Sequence, residues 1–405
     1  MLLGFEGDFE ILGDPQIKLI ENVLQKQGYT NGKVLVEPVG QKGDNYIAHV
    51  KRFIYESGEG STFKMIGKIA PVAEELRNIM KTMLLFNNEI VMYNLVLPKL
   101  NDLQNLVGNN KDKVRFPTCY GVVNEAPYEF ILLEDLKESG LEMLDRLKYL
   151  TNDSIRIVIK DLAIYHSLSY VLKILKRKSF INSQTNCQIF RLSENDLLKL
   201  LGDESDKYKN LVTGSITEIP SNARDIQNDE KGSKYTVIQQ VDCWNNNILF
   251  RLEDGKPRKP VGNVMIDYQM SKESSPAADI LYLLFNCTDH ATRLQHYREW
   301  IDYYHKILSS TLKKHGLEAN LVFPKDQLLA DLKRYSRISI GFGLFLSSML
   351  VRESKDVFDF KEKESMLVED VIAKMNMLSL DKSTTNRLKG RIMGIIDTVL
   401  EFGLV

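Results

Sequence analysis

The spacing of apolar residues changes once along this chain, near Leu136, and that change restricts the folds open to it. Ahead of that point short strand-like runs occupy residues 33–36, 46–55 and 63–70, separated by Gly40, Gly43, Gly58 and Gly60, which predicts a small antiparallel sheet. Pro71 closes the third run, and residues 73–97 then carry apolar side chains at helical spacing as far as Pro98. A further strand pair is expected at 119–123 and 130–133. Behind Leu136, helical spacing holds over 153–175, over 276–315 and from 325 onward, while 202–234 reads as loop with short helical pieces. The division gives an α+β chain: residues 1–135 carry a sheet with one main helix, and residues 136–405 form a larger α-rich part.

With 43% hydrophobic and 26% charged residues the chain has the make-up of an ordinary globular protein, able to bury a large core. Its 53 Lys and Arg against 54 Asp and Glu leave a net charge of -1, so no general basic field exists to gather nucleic acid. Cys119, Cys187, Cys243 and Cys287 form no C-x-x-C pair, which argues against a zinc cluster or a secreted disulfide framework and favours a reducing, cytoplasmic setting. The first residues lack the basic and apolar regions of a secretory signal. Residues 338–351, about 14 in all, are the longest uncharged stretch where a membrane helix needs about 20, so a buried helix is expected there and no membrane span. No obligate protein partner is evident.

The chemistry concentrates at two short apolar runs, one following Asp242-Cys243-Trp244-Asn245-Asn246-Asn247 and one ending on Ile266-Asp267. Asp254-Gly255 and Pro257 between them suit the loop of an antiparallel hairpin, which would set Asn247 and Asp267 about 5 Å apart at its open end. Two oxygen donors so placed suit Mg²⁺. Asp242 precedes Asn247 by the spacing of the kinase loop H-R-D-x-x-x-x-N, in which Asp accepts the hydroxyl proton and Asn holds metal. The same residues alone would also serve as a polar turn. Lys68, near the end of the third strand, and Glu89, on an apolar helix face with Leu85, Phe86, Met92 and Tyr93, fit the Lys–Glu pair that orients phosphates, because a buried carboxylate needs a partner. Gly40 to Tyr46, with Gly43 and Asn45, falls between the first two strands, where a glycine turn lets backbone N–H groups approach phosphates or simply reverses the chain.

In order, Gly-Asp-Asn-Tyr (43–46), Gly-Lys-Ile-Ala-Pro (67–71), Asn-Glu-Ile-Val-Met-Tyr (88–93), Leu-Leu-Glu-Asp-Leu (132–136), Asp-Cys-Trp-Asn-Asn-Asn (242–247), Ile-Asp-Tyr-Gln (266–269) and Ser-Pro-Ala-Ala-Asp (275–279) resemble the ecdysteroid-kinase-like, or CHK-kinase-like, family. Its members are similar to choline kinases and aminoglycoside phosphotransferases. The resemblance implies a two-lobed protein-kinase-like fold that is one catalytic domain and an ATP-dependent phosphotransferase acting on the hydroxyl of a small molecule, an ecdysteroid or another lipophilic alcohol. It implies Mg²⁺·ATP as cofactor, Lys68 and Glu89 as the phosphate-orienting pair, and Glu134 and Leu136 in the hinge beside adenine. It further implies Asp242 as base, Asn247 and Asp267 as metal ligands, and Asp279 either as a brace of the catalytic loop or as a first-turn acid complementing its helix dipole.

His166 also matches a family position, but a lone His in an amphipathic helix more often packs than acts in catalysis, and the aromatics Trp300, Tyr303, Tyr304, Tyr335, Phe342 and Phe345, which could line an apolar pocket, read mostly as core. One departure stands out. The family's His-Gly-Asp is here Gln240-Val241-Asp242, which exchanges an imidazole for an amide and a conformationally free residue for one expected to adopt ordinary backbone angles. The departure is the sequence support for a second reading, a catalytically weak pseudokinase that binds nucleotide or a small ligand.

Overall fold

The computed structural model describes residues 3–40, 48–107, 112–176, 194–255, 258–353 and 380–405. It is a two-lobed α+β fold. The front lobe is a six-stranded sheet in the order β1-β2-β3-β4-β6-β5, made of β1 (Gly4–Gly7), β2 (Lys33–Pro38), β3 (His49–Glu56), β4 (Thr62–Ile69), β5 (Cys119–Val123) and β6 (Phe130–Glu134). All neighbours are antiparallel except β1 and β2, which run parallel because helix α1 (Asp14–Lys26) crosses between them. The period-2 alternation of β6 sorts its side chains onto two cores. Phe130 and Leu132 meet Ile20, Val23 and Leu24 of α1 on one face, whereas Ile131 and Leu133 join the core shared with the helices behind the other.

The expected single helix over 73–97 is divided. α2 (Glu74–Met80) ends at Lys81, whose φ of 53° breaks the chain direction, and α3 (Thr82–Val91) restarts from it. Nor does Pro98 stop the helix. A π-helical turn, Met92–Val96, carries the Leu97 N–H to Met92 O, five residues back, and α4 (Leu97–Leu106) begins with Pro98 in its first turn, where no intrahelical N–H is required.

The second lobe carries two small sheets: β7 (Leu141–Met143) with the hairpin β9 (Ile248–Glu253) and β10 (Lys259–Met265), and β8 (Val237–Ile238) with β11 (Glu273–Ser274). Around them lie α5 (Asn152–Lys176), α6 (Glu194–Leu201), α7 (Asp206–Val212), α8 (Ile219–Glu230), α9 (Pro276–Cys287), α10 (His290–Lys314), α11 (Ala319–Val322), α12 (Lys325–Leu350) and α13 (Lys382–Glu401). The helical stretch expected over 276–315 is interrupted at Thr288, and Asp289 caps the second piece by accepting from the Thr292 N–H at 2.8 Å. α5 is buried on every side over residues 161–172, and Ile155, Val158, Ile159, Leu162, Ala163 and Leu168 are fully buried, as befits the central helix of a bundle. Trp300, Tyr304, Tyr335 and Phe345 lie in the same core. Among the described residues no helix is long and apolar enough to cross a membrane; residues 338–350 form the buried second half of α12.

Candidate active site

The site is assembled where β4, α3, α9 and the β9–β10 hairpin meet. On β4, Gly67 is pressed between two rings: a Cβ there would lie 2.4 Å from Phe53 and 2.5 Å from Phe130. Alternation then turns Lys68 to the opposite face, toward α3. Its ammonium donates to Glu89 Oε2 at 2.6 Å, Asp267 Oδ1 at 2.8 Å and Gln269 Oε1 at 3.3 Å, so strand, helix and hairpin exit converge on one cation. Glu89 is 1% exposed. Burial opposes the Lys68 charge, but the Asp267 and Glu89 carboxylates outweigh it and hold the ammonium protonated. Burial pushes the Glu89 carboxyl up to about 7 against the pull of Lys68.

The hairpin closes as the sequence pattern requires. Met265 pairs with Ile248, and the Ile266 N–H donates to Asn247 O at 2.9 Å, which sets Asn247 and Asp267 side by side at the open end. Asn247 Nδ2 donates to Asp242 Oδ2 at 2.8 Å and to Asp242 O at 2.9 Å. Its amide oxygen is thereby the end left for another ligand. The Tyr282 hydroxyl, from α9, donates to Asp242 Oδ1. Burial, with the nearby Asp267 charge, pushes the Asp242 carboxyl up to about 6, while the hydrogen bonds from Tyr282 and Asn247 and the charge of Lys68 restrain it.

Asp279 holds the loop from below. Its Oδ2 accepts the Gln240 N–H at 2.8 Å, its Oδ1 accepts the Val241 N–H at 2.9 Å, and it also contacts His166 Nε2 at 3.0 Å. Of the two readings open for this acid, the geometry is that of a loop brace. The expectation that Val241 adopts ordinary angles is corrected here, because its φ is 75°. Val241 lies in the left-handed region where its N–H and that of Gln240 face the two oxygens of Asp279, a conformation natural to glycine and costly, about 1–3 kcal/mol, for a β-branched residue. Gln240, fully buried, sends Nε2 to Ile266 O at 2.9 Å and to Asp267 O at 3.1 Å. It thus grips the residue whose own φ is 60°.

In the strip between the lobes, Arg115 donates to Glu134 Oε1 at 2.5 Å, and the Glu134 N–H donates to Thr118 O at 2.9 Å. Leu136 is buried against Leu141, Leu249 and Val264. Gly43 and Asn45 lie outside the described residues. The structure therefore brings Lys68, Glu89, Asp242, Asn247 and Asp267 into one cluster, with Glu134 and Leu136 at the strip beside it.

Sequence reasoning gave no role to Gln269, Tyr282 or Asn88, which donates to Gln269 O at 2.8 Å and Ser271 O at 2.6 Å, and read as packed the His166 that contacts Asp279. Tyr282, outside the quoted motifs, carried a local signal, standing three residues after Asp279 and so on the same helix face.

The model of the ecdysteroid kinase-like family matches residues 42–317. A 4-hydroxytryptamine kinase of Psilocybe cubensis is 30% identical over 69 residues, 17% of this chain, and the matched stretch spans only 19% of that relative's length. Among solved structures, a spectinomycin phosphotransferase in complex with ADP and spectinomycin is 11% identical, with a TM-score of 0.43 over 96% of this chain and 98% of that one. The GDP complex of an aminoglycoside 2'-phosphotransferase mutant is 12% identical, with a TM-score of 0.41 over 88% and 97% of the two chains.

Proposed function

The chain belongs to the ecdysteroid kinase-like family, and from that premise we propose that it is a kinase that moves the γ-phosphoryl group of ATP to a hydroxyl of a small molecule. The observation that carries this reading is the convergence on Lys68: a buried ammonium drawn by Glu89 and Asp267, beside an Asp242 whose carboxylate is oriented by Asn247. A buried ammonium held by carboxylates on a strand, next to two hard oxygen donors, suits a nucleotide polyphosphate and its cation.

In this reading Lys68, held by Glu89, orients the phosphates. Residues Glu134 to Leu136 border the adenine, and Gly43 and Asn45 would cover the phosphates. The donor chemistry fits Mg²⁺, since Asp267 offers a carboxylate and Asn247 an amide oxygen. Bound there, the ion would neutralise charge on the phosphates. Asp242 accepts the proton of the attacking hydroxyl, and a carboxyl titrating near 6 is better suited to that than an ordinary one while remaining ionised at pH 7. The acceptor is a small hydroxylated compound, an ecdysteroid or another lipophilic alcohol.

Transfer of γ-labelled phosphate from Mg²⁺·ATP into ecdysteroids, 4-hydroxytryptamine and mixed small alcohols tests this, with Asp242→Asn run beside the wild type. Label in an extractable product that vanishes in the variant is the expected result. Label that survives Asp242→Asn would overturn the role of Asp242. Binding of Mg²⁺·ATP without transfer to any acceptor, repaired only by Gln240→His with Val241→Gly, would turn the reading into that of a pseudokinase.

A further inference from the structure

Helix α9 reaches the catalytic loop with a carboxylate and a phenol. At its first turn Asp279 takes the backbone N–H groups of Gln240 and Val241, and three residues later Tyr282 donates its phenolic hydrogen to Asp242 Oδ1. One element thus fixes both the main chain of the loop and the functional carboxylate that the loop presents. The two Asp242 oxygens are not equivalent. Oδ2 belongs to Asn247, on the side of the hairpin and of Asp267, whereas Oδ1 faces the half-buried Tyr282 on the side away from it.

We propose that Tyr282 is a positioning residue for phosphoryl transfer: its hydroxyl holds Asp242 Oδ1 so that the remaining lone pair on that oxygen is aimed at the incoming acceptor hydroxyl. The inference rests on the kinase reading given above and deepens it. A carboxylate oxygen has two acceptor sites, so one donated hydrogen bond leaves one for the acceptor proton. Pinning both oxygens removes rotation about the Cβ–Cγ bond, and a proton acceptor works only within hydrogen-bond reach of the proton that it takes. In the step itself the acceptor O–H bond breaks, its proton passes to Asp242, the acceptor oxygen bonds to the γ-phosphorus, and the bond from that phosphorus to the bridging oxygen of the leaving nucleoside diphosphate breaks. Tyr282 keeps its own proton throughout. Burial and the Asp242 charge hold its phenol well above the ordinary value, so it stays a donor.

Tyr282→Phe removes one oxygen and keeps the ring, which separates the proposal from a packing role. The probe is Mg²⁺·ATP with water as acceptor, followed by phosphate release, so that no particular alcohol is needed; Asp242→Asn sets the floor. The expected result is a fall in kcat on the order of 10-fold, part of the 10²–10⁴-fold that a positioned base supplies. KM for ATP should stay within about twofold and the thermal midpoint should hold, because nothing that binds nucleotide is touched. Equal kcat in Tyr282→Phe and wild type would overturn this proposal alone. So would a loss matched by a raised KM or a lowered midpoint. If wild type releases no more phosphate than Asp242→Asn, the same comparison is read on whichever alcohol takes label in the transfer assay; a wild type that neither releases phosphate nor labels any alcohol would overturn the kinase reading and this proposal with it.

Discussion

Lys68 and Asp242 face each other across the same cleft, but they are held by different kinds of group. Lys68 sits among two carboxylates and an amide, whereas Asp242 takes its hydrogen bonds from an amide and a phenol. The ionic side has one strand, one helix and one hairpin exit tied through a single charge, so removing a partner leaves a buried ion uncompensated. The neutral side leaves its carboxylate charged yet oriented, which allows it to exchange a proton without disturbing the fold. One cluster therefore combines a fixed positive charge with a carboxyl whose hold on a proton is raised.

The comparison breaks first at Asp242. Asp242→Asn keeps the shape and a hydrogen bond to Tyr282 but can take no proton, and turnover should fall by roughly 10²–10⁴-fold in a kinetic assay while Mg²⁺·ATP binding, read by calorimetry, persists. An equal loss of both would place Asp242 on the binding side. Glu89→Gln tests the ionic side. The amide can still accept from Lys68, but the charge is gone and Asp267 competes alone for the ammonium, so kcat/KM for ATP should drop on the order of 10-fold. No change would mean that Asp267 suffices to hold Lys68.

A smaller effect is expected between the two sides, at Val241. Glycine there relieves a left-handed β-branched residue, and Val241→Gly should raise stability by about 1 kcal/mol in denaturant titrations, less than the strain because glycine also gains freedom in the unfolded chain. Turnover of the variant should equal or exceed that of the wild type. A less stable variant would show that the valine side chain earns its place by packing.

The last prediction concerns a carboxyl outside the cleft. Asp161 on α5 is buried and accepts from Asn263 Nδ2 of β10 at 2.9 Å. Burial pushes it up to about 7. A folded-state value above the unfolded one means that the native protein retains a proton that the unfolded chain has released. The associated stability is complete below the ordinary carboxyl range and is lost as pH rises from about 4 through 7. Asp161→Asn keeps an acceptor and cannot ionise, so its stability relative to the wild type should climb by roughly 2–3 kcal/mol between pH 5 and pH 8. A flat difference would place Asp161 in contact with water.

Much of this site was legible along the chain because its groups are tied to local pattern. Asn247 and Asp267 flank two strands that can pair in only one register with their apolar residues inward, and Lys68 follows a glycine in a strand with a fixed alternation. The helix bearing Glu89 was recognised, but its breaks were not. Apolar spacing reports which face is buried and is blind to the left-handed Lys81 and to a π turn that shifts the register by one residue.

The sequence by itself determined the order of elements, the α+β division and the residue types offered to the cleft, since periodicity, turn residues and charge are local properties. Only the tertiary structure decided the angles of Val241, the grip of Gln240 on Asp267 and the meeting of Tyr282 with Asp242. The first and the last depend on where α9 lies against a loop some 40 residues earlier in the chain. That placement is fixed by helix packing across the core, a sum of many weak contacts that no short stretch of sequence encodes.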